Sequence, residues 1–286
     1  MFVVTGATGN TGSVVATTLL AKGKQVRVIV RDAARGASWK AQGAEVAVAD
    51  AHDAAALTQA LRGADGVYLM VPPDPTAKGV LLAQARVVDA YAQAVAAARP
   101  KHVVLLSSIG AELAAGSGPI RSVHYAEQKL TPLGVPLTAV RASYFLENWA
   151  GLLQPVLTQS VLPTMLLADA PVEMVATADI GRVAAEALLR GPEGHATIEL
   201  GGTAARTPRE IAAAFSTALG RKIELVEVPE TAIVPSLTGA GFSEELAELY
   251  REMIVGLNRG AIKFQRAPHR GKVSAEEVVR QLVAVK

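Results

Sequence analysis

The sequence predicts an α/β chain built on a doubly wound parallel sheet, with a smaller C-terminal region. Three features predict it. Through the first 150 residues, short aliphatic runs alternate with longer helical patterns. The runs show little polar alternation, which marks strands covered on both faces and hence a parallel sheet. A glycine-rich turn joins the first run to the first helical pattern.

The expected strands lie at residues 2–5, 26–30, 45–49, 67–71, 103–106 and 137–140, each four to six residues long. Asn10 is the expected N-cap of the first helix, which runs to about Lys22 and stops at Gly23. Asp53 caps the segment that ends near Arg62, and an Ala-rich helix fills roughly 78–98 before Pro100. Such alternation with short turns implies crossover connections. Beyond about 153 the rhythm loosens, with Pro155, Pro163 and Pro171 as punctuation. Asp179 is expected to cap a helix there, 197–200 to form a strand, and Thr207-Pro208-Arg209-Glu210 to start a helix. A strand at 222–228 and helices at 243–257 and 274–285 complete the pattern. The expected division is 1–153, which carries the sheet, and 154–286, a smaller substrate-binding region that partly returns to it.

Composition narrows the chemistry. The 286 residues carry 28 Lys+Arg against 26 Asp+Glu, a formal charge of +2, so no nucleic-acid partner is expected. Half the residues are hydrophobic, enough to bury a sizeable core. With no cysteine there is no disulfide, no thiolate nucleophile and no Cys-ligated metal; no metal site is expected at all. Neither a secretory leader nor a membrane-spanning run is expected, and the expected location is cytoplasmic.

The strongest motif is Thr5-Gly6-Ala7-Thr8-Gly9-Asn10-Thr11-Gly12. Its glycines stand where a strand turns into a helix, so the chain can reverse tightly and a diphosphate can approach bare backbone. The helix N-terminus then offers free N–H groups to the anion. This is the Rossmann arrangement, and Gly6, Thr8, Gly9, Asn10, Thr11 and Gly12 become expected cofactor contacts. Arg31 follows the second strand, where an acidic residue binds the ribose hydroxyl in NAD proteins. A guanidinium there can fork onto a 2′-phosphate, with Arg35 near enough to help, which favours NADP(H). Asp32, one residue on, keeps NAD(H) open. Ligands in this topology lie outside the carboxyl ends of the strands. Asp50 is therefore expected at the adenine, Val71, Pro72 and Pro73 along the middle, and Ser107 and Ser108 near the nicotinamide.

The glycine turn, the Val30-Arg31-Asp32 strand end, and Glu127-x-x-Leu130-x-x-x-Gly134-Val135-Pro136-Leu137-Thr138 with Arg141 and Phe145-x-x-Asn148 carry a resemblance. So do Ala178-Asp179-Ile180-Gly181-Arg182 and the glycine pair Gly201-Gly202. Together they resemble the NmrA-like branch of the atypical short-chain dehydrogenases. That branch holds NAD(P)H quinone oxidoreductases, an NAD(P)H azoreductase and redox-sensing regulators without catalysis. Ala142 departs from the Pro that many relatives carry after the Arg. The resemblance implies that Arg141 to Phe145, with Asn148, line the nicotinamide end; Tyr144 and Phe145 would offer flat faces to an aromatic ring.

Tyr125 and Lys129 also match the Tyr-x-x-x-Lys pair of the true short-chain dehydrogenases. Residues four apart share a helix face, so the ammonium could lower the phenol's pKa and the phenol could protonate a carbonyl, with Ser108 polarising the same oxygen. A chance pairing is the competing reading, and His124 is a second candidate donor. The function expected is NADPH-dependent hydride transfer to a small, flat, apolar electrophile: a quinone, azo compound, enone, imine or ketone. The alternative is an NADP(H)-sensing regulator without catalysis. A small-molecule hydride acceptor is the expected partner; a homodimer is compatible with the sequence, which leaves oligomeric state open.

Overall fold

A computed structural model describes residues 1–72 and 79–284. Its centre is an eight-stranded parallel sheet in the order β13-β10-β6-β5-β4-β1-β2-β3. The strands are β1 (Phe2–Val4), β2 (Val26–Val30), β3 (Glu45–Val48), β4 (Gly66–Leu69), β5 (Val103–Ser108), β6 (Leu137–Ala142), β10 (Ala196–Gly201) and β13 (His269–Arg270). The chain reverses its winding between β1 and β4, so a crevice opens beyond their carboxyl ends. One expectation fails in β3. It is an edge strand with both end residues exposed, held to β2 by a forked pair from Arg27 to Glu45 at 2.8 and 3.1 Å.

Helices cover both faces of the sheet. On one side α1 (Asn10–Ala21) packs against α7 (Thr177–Arg190), burying Val15, Leu19, Ile180 and Leu188. On the other lie α3 (Ala54–Leu61), α4 (Val80–Ala98) and α5 (Arg121–Leu130), over Leu57, Leu61, Val88 and Leu105. Each such aliphatic side chain contributes about 1.5–3 kcal/mol when fully buried. A short α2 (Ala37–Ala41) follows β2. The start expected for α4 at 78 lies outside the described residues, as does Pro73.

Residues after 153 are divided between two places. α7, β10 and β13 belong to the main layers, while the rest joins residues 144–153 in a cap around Trp149, Met174 and Phe215. The cap contains β7 (Tyr144–Phe145), β9 (Val172–Val175) and β11 (Ala205–Arg206) in one small sheet, and β8 (Val161–Thr164) beside β12 (Glu224–Glu227) in another. Its helices are α6 (Leu153–Gln159), α8 (Pro208–Leu219), α9 (Glu230–Gly239), α10 (Glu244–Asn258) and α11 (Ala275–Ala284). α8 starts as its sequence predicts, with Thr207 and Glu210 forming a reciprocal capping box around Pro208. No helix among the described residues is long and apolar enough to cross a membrane.

Two expected caps are otherwise employed. Gly9, not Asn10, is the N-cap of α1. α7 begins two residues before Asp179, and the Glu147 carboxylate takes the Thr177 N–H at 2.9 Å and its hydroxyl at 2.6 Å. Asp179 is instead buried inside the first turn, accepting the N–H groups of Lys272 and Val273 at 2.8 Å. A carboxylate near a helix start satisfies whichever orphan donors lie closest, and those come here from a distant segment.

The α1–α7 crossing depends on Gly181. A Cβ there would lie 2.5 Å from Val14 Cβ and 2.7 Å from the Thr11 carbonyl oxygen. Gly181→Ala is expected to cost about 1–3 kcal/mol through overpacking. A lowered urea midpoint with unchanged slope would show it; an unchanged midpoint would refute the close-approach argument.

Candidate active site

The turn after β1 is set by two glycines with different tasks. Gly6 adopts φ +64°, a left-handed conformation, and a Cβ there would press on Met70 Cγ at 2.8 Å. A Cβ at Gly12 would overlap the Gly6 carbonyl, so this residue lets α1 lie against the turn. Gly9 differs: an added Cβ would meet nothing nearer than the Gly6 oxygen at 3.4 Å. The protein itself makes little demand for glycine at that point. The space opens on the N-terminus of α1, whose N-cap supplies no side-chain bond. An anion approaching the backbone closely fits that opening, and a side chain would fill it.

A cleft of about 640 Å³ extends from this turn, within the size range of small-molecule sites. Gly6, Thr8, Gly9, Arg31, Asp50 and Pro72 all line it, as does Arg35. The Asp50 carboxyl accepts the His52 N–H and approaches its ring Nδ1, both at 2.8 Å; these contacts, with Arg31 a lesser influence, hold its pKa below the ordinary carboxylate value. Asp32 does not line the cleft. It caps the turn at Ala33–Gly36, accepting the Ala34 N–H at 2.9 Å.

Of the contacts expected at the glycine turn and along the middle, four do not line this cleft. Asn10 and Gly12 belong to the first turn of α1, and Thr11 is buried with its hydroxyl receiving the Tyr68 phenol at 2.9 Å. Val71 packs into the core of the opposite helical layer. The sequence reading also missed wall residues: Met70, Gln84 and Tyr91. Tyr91 donates to the Met70 carbonyl at 3.1 Å, and burial pushes its phenol up to about 12. Its signal is faint, because nothing in the pattern of α4 says which turn will face the crevice.

A second, smaller cavity of about 200 Å³ lies at the ends of β5 and β6. Ser108, Tyr144, Phe145 and Asn148 converge there, joined by Ser143 and by Tyr250 and Met253 from α10. Tyr144 meets Trp149 edge-on at 6.3 Å, and burial pushes its phenol up to about 12 against a lowering contact from Asn148. Neighbouring strand residues face opposite ways. Ser107 therefore turns from the cavity and donates to Glu127 at 2.6 Å.

That bond joins a polar network that also claims Arg141. Its guanidinium forks onto Glu127 at 3.0 and 2.7 Å and reaches Glu112 at 2.9 Å. The Gln265 amide closes on Glu112 at 3.0 Å. Contact with Glu127, above all, raises the guanidinium's pKa. Arg141 thus ties β6 to α5 and does not line either cavity.

Tyr125 and Lys129 share a helix face as expected, but that face meets α4. The Tyr125 phenol donates to Asp89 at 2.9 Å, and Lys129 Nζ lies 3.4 Å from the same oxygen and 5.1 Å from the Tyr125 ring centre. Neither residue lines either cavity. His124 places Nδ1 2.7 Å from the Ala111 carbonyl oxygen.

Comparison with known proteins agrees with this architecture. The model of the NmrA-like family matches residues 1–257. The chain is 28% identical to an NAD(P)H azoreductase of Xenophilus azovorans, over 88% of its own length and 86% of the relative's. It is 36% identical to a (4-alkanoyl-5-oxo-2,5-dihydrofuran-3-yl)methyl phosphate reductase of Streptomyces griseus, over 80% and 77% of the two chains. Among solved structures, an NADPH-dependent quinone oxidoreductase of Escherichia coli, complexed with NADPH, superposes with a TM-score of 0.83 at 25% identity, covering 99% of this chain and 100% of that one. The protein whose glycine turn, paired arginines and aromatic cavity are described above belongs to the NmrA-like family.

Proposed function

We propose that the chain is an NADPH-dependent reductase whose acceptor is a small, flat, uncharged electrophile of the quinone, azo or activated-alkene class. One observation carries the reading: a single cleft has the open glycine turn in its wall together with Arg31 and Arg35. The turn and the α1 N-terminus would hold the diphosphate, and the two guanidiniums a 2′-phosphate. Asp50 would take the adenine amino group, with Met70 and Pro72 walling the middle. Ser108, Tyr144 and Phe145 would border the nicotinamide, which when bound supplies hydride to the acceptor.

The smaller cavity supports the acceptor class. Its wall is mainly apolar and aromatic, with no charged side chain among the described residues that line it. Such a wall excludes water and favours flat conjugated molecules. The named relatives act on an azo compound, a quinone and an oxo-dihydrofuranyl methyl phosphate. Conjugated electrophiles are the chemistry common to them. On this reading residues 1–153 form the cofactor-binding unit and 154–286 supply most of the roof.

Gly9→Ala is expected to weaken NADPH binding by at least tenfold in calorimetry while leaving the melting temperature almost unchanged. Equal loss of both would show that the residue serves only the turn. Arg31→Ala is expected to reduce the preference for NADPH over NADH by about 10- to 100-fold, the scale of a charge-assisted contact. Unchanged discrimination would refute the 2′-phosphate assignment. Nucleotide binding without cofactor consumption, across quinones, azo dyes and activated alkenes, would turn the reading to a nucleotide-sensing binding module.

A further inference from the structure

Two-electron reduction of a conjugated carbonyl needs a proton as well as a hydride, and the α5 tyrosine expected to give it is bound to Asp89. The smaller cavity presents five other hydrogen-bonding side chains. The Ser108 hydroxyl donates to the Ile109 carbonyl at 2.9 Å. Ser143 is 2% exposed and its hydroxyl is sealed from solvent. Tyr144 is half-buried with its phenol engaged by Asn148, and the Asn148 amide holds no proton of usable acidity.

Tyr250 remains. Its side chain is half-buried, and burial alone shifts its phenol, upward, with no hydrogen-bond partner or charge contributing among the described residues. Among the described residues the hydroxyl has no hydrogen-bond partner, and a phenol raised above its ordinary value is protonated through the neutral range. The ring is nonetheless held in place. It stands edge-on to Phe242, 5.5 Å between centres and 87° between planes. Its helix, α10, is fastened to α4 by Glu245, whose carboxylate accepts the Gly79 and Val80 N–H groups at 2.9 and 3.0 Å. Leu246 and Leu249 pack on Val80 beside that clamp.

We propose that Tyr250 is the catalytic proton donor, its phenol hydrogen passing to the acceptor's carbonyl oxygen as the acceptor is reduced. The assignment rests on the reductase reading above. Hydride from NADPH forms the new bond at the electrophilic centre, and the displaced π pair moves to the conjugated oxygen. The Tyr250 O–H bond breaks as a new O–H forms there. Water then reprotonates the phenolate, leaving NADP⁺ and an acceptor reduced by two electrons.

The test uses the full chain with NADPH and 1,4-naphthoquinone. Tyr250→Phe keeps the ring and its contact with Phe242, so its melting curve should overlay that of the unaltered protein. Its kcat is expected to fall by about 10²-fold, the lower scale of general-acid catalysis, with KM changed less than about threefold. A second readout does not depend on turnover. With 3-fluorotyrosine at the five tyrosines, the ¹⁹F resonance missing from Tyr250→Phe should shift when 1,4-naphthoquinone is added to the NADP⁺-loaded protein. An unmoved resonance, an unchanged kcat, or a larger loss in Tyr125→Phe than in Tyr250→Phe would each overturn the assignment. If the unaltered chain bound NADPH but consumed none with any acceptor, the reductase reading would fail first and this assignment with it.

Discussion

The close approach of α1 to the turn after β1 is the constraint on which the site depends. Gly12 lets the helix lie on the Gly6 carbonyl, and Gly6 supplies the left-handed residue that turns the chain. With both in place, the first amides of α1 stand at the edge of the crevice where the winding reverses. The neighbouring strands then deliver the other wall residues by position alone. Arg31 follows β2, Asp50 follows β3, and Pro72 follows β4. Parallel pairing of β3, β2, β1 and β4 holds these groups at one edge of the sheet, lining one cleft.

Rigidity at the other end of the crevice has a polar origin. Arg141 is largely buried and bonded to two carboxylates, one of which also receives Ser107. Removing one partner from such a buried ion pair leaves an uncompensated charge and typically costs 3–5 kcal/mol, whereas an apolar replacement of the whole group can be neutral. The network is therefore better understood as a device for register. It fixes β5, β6 and α5 relative to one another, and through Gln265 it reaches the C-terminal segment. Residues that a motif search would assign to chemistry are holding the floor of the cavity still.

The cap is fastened to the main layers by carboxylates at helix starts. Glu147 satisfies the first turn of α7, Glu245 that of α4, and Asp179 takes amides from the segment leading to α11. Each links parts of the chain far apart in sequence, and each places a negative charge where the helix dipole or orphan N–H groups favour it. The proposed acceptor pocket thus has walls from both the main layers and the cap, with α10 over the ends of β5 and β6.

By itself the sequence determined the parallel α/β sheet, most strand and helix positions, and the glycine turn with the arginines near it. These follow from local patterns: aliphatic runs, glycine spacing, and the rule that a strand's last residues face the crevice. Tertiary structure decided what such patterns leave open. Asp179 and Asn10 look like caps, and Tyr125 and Lys129 like an acid pair, because those readings use residue type and spacing alone; Arg141 is expected at the cavity only from the family resemblance. Which face of α5 meets α4, which donors lie nearest a carboxylate, and which side of β5 Ser107 occupies depend on packing between distant segments. Tyr250 and Met253 carry no local mark, since their place in the cavity exists only once α10 has docked across the sheet's edge.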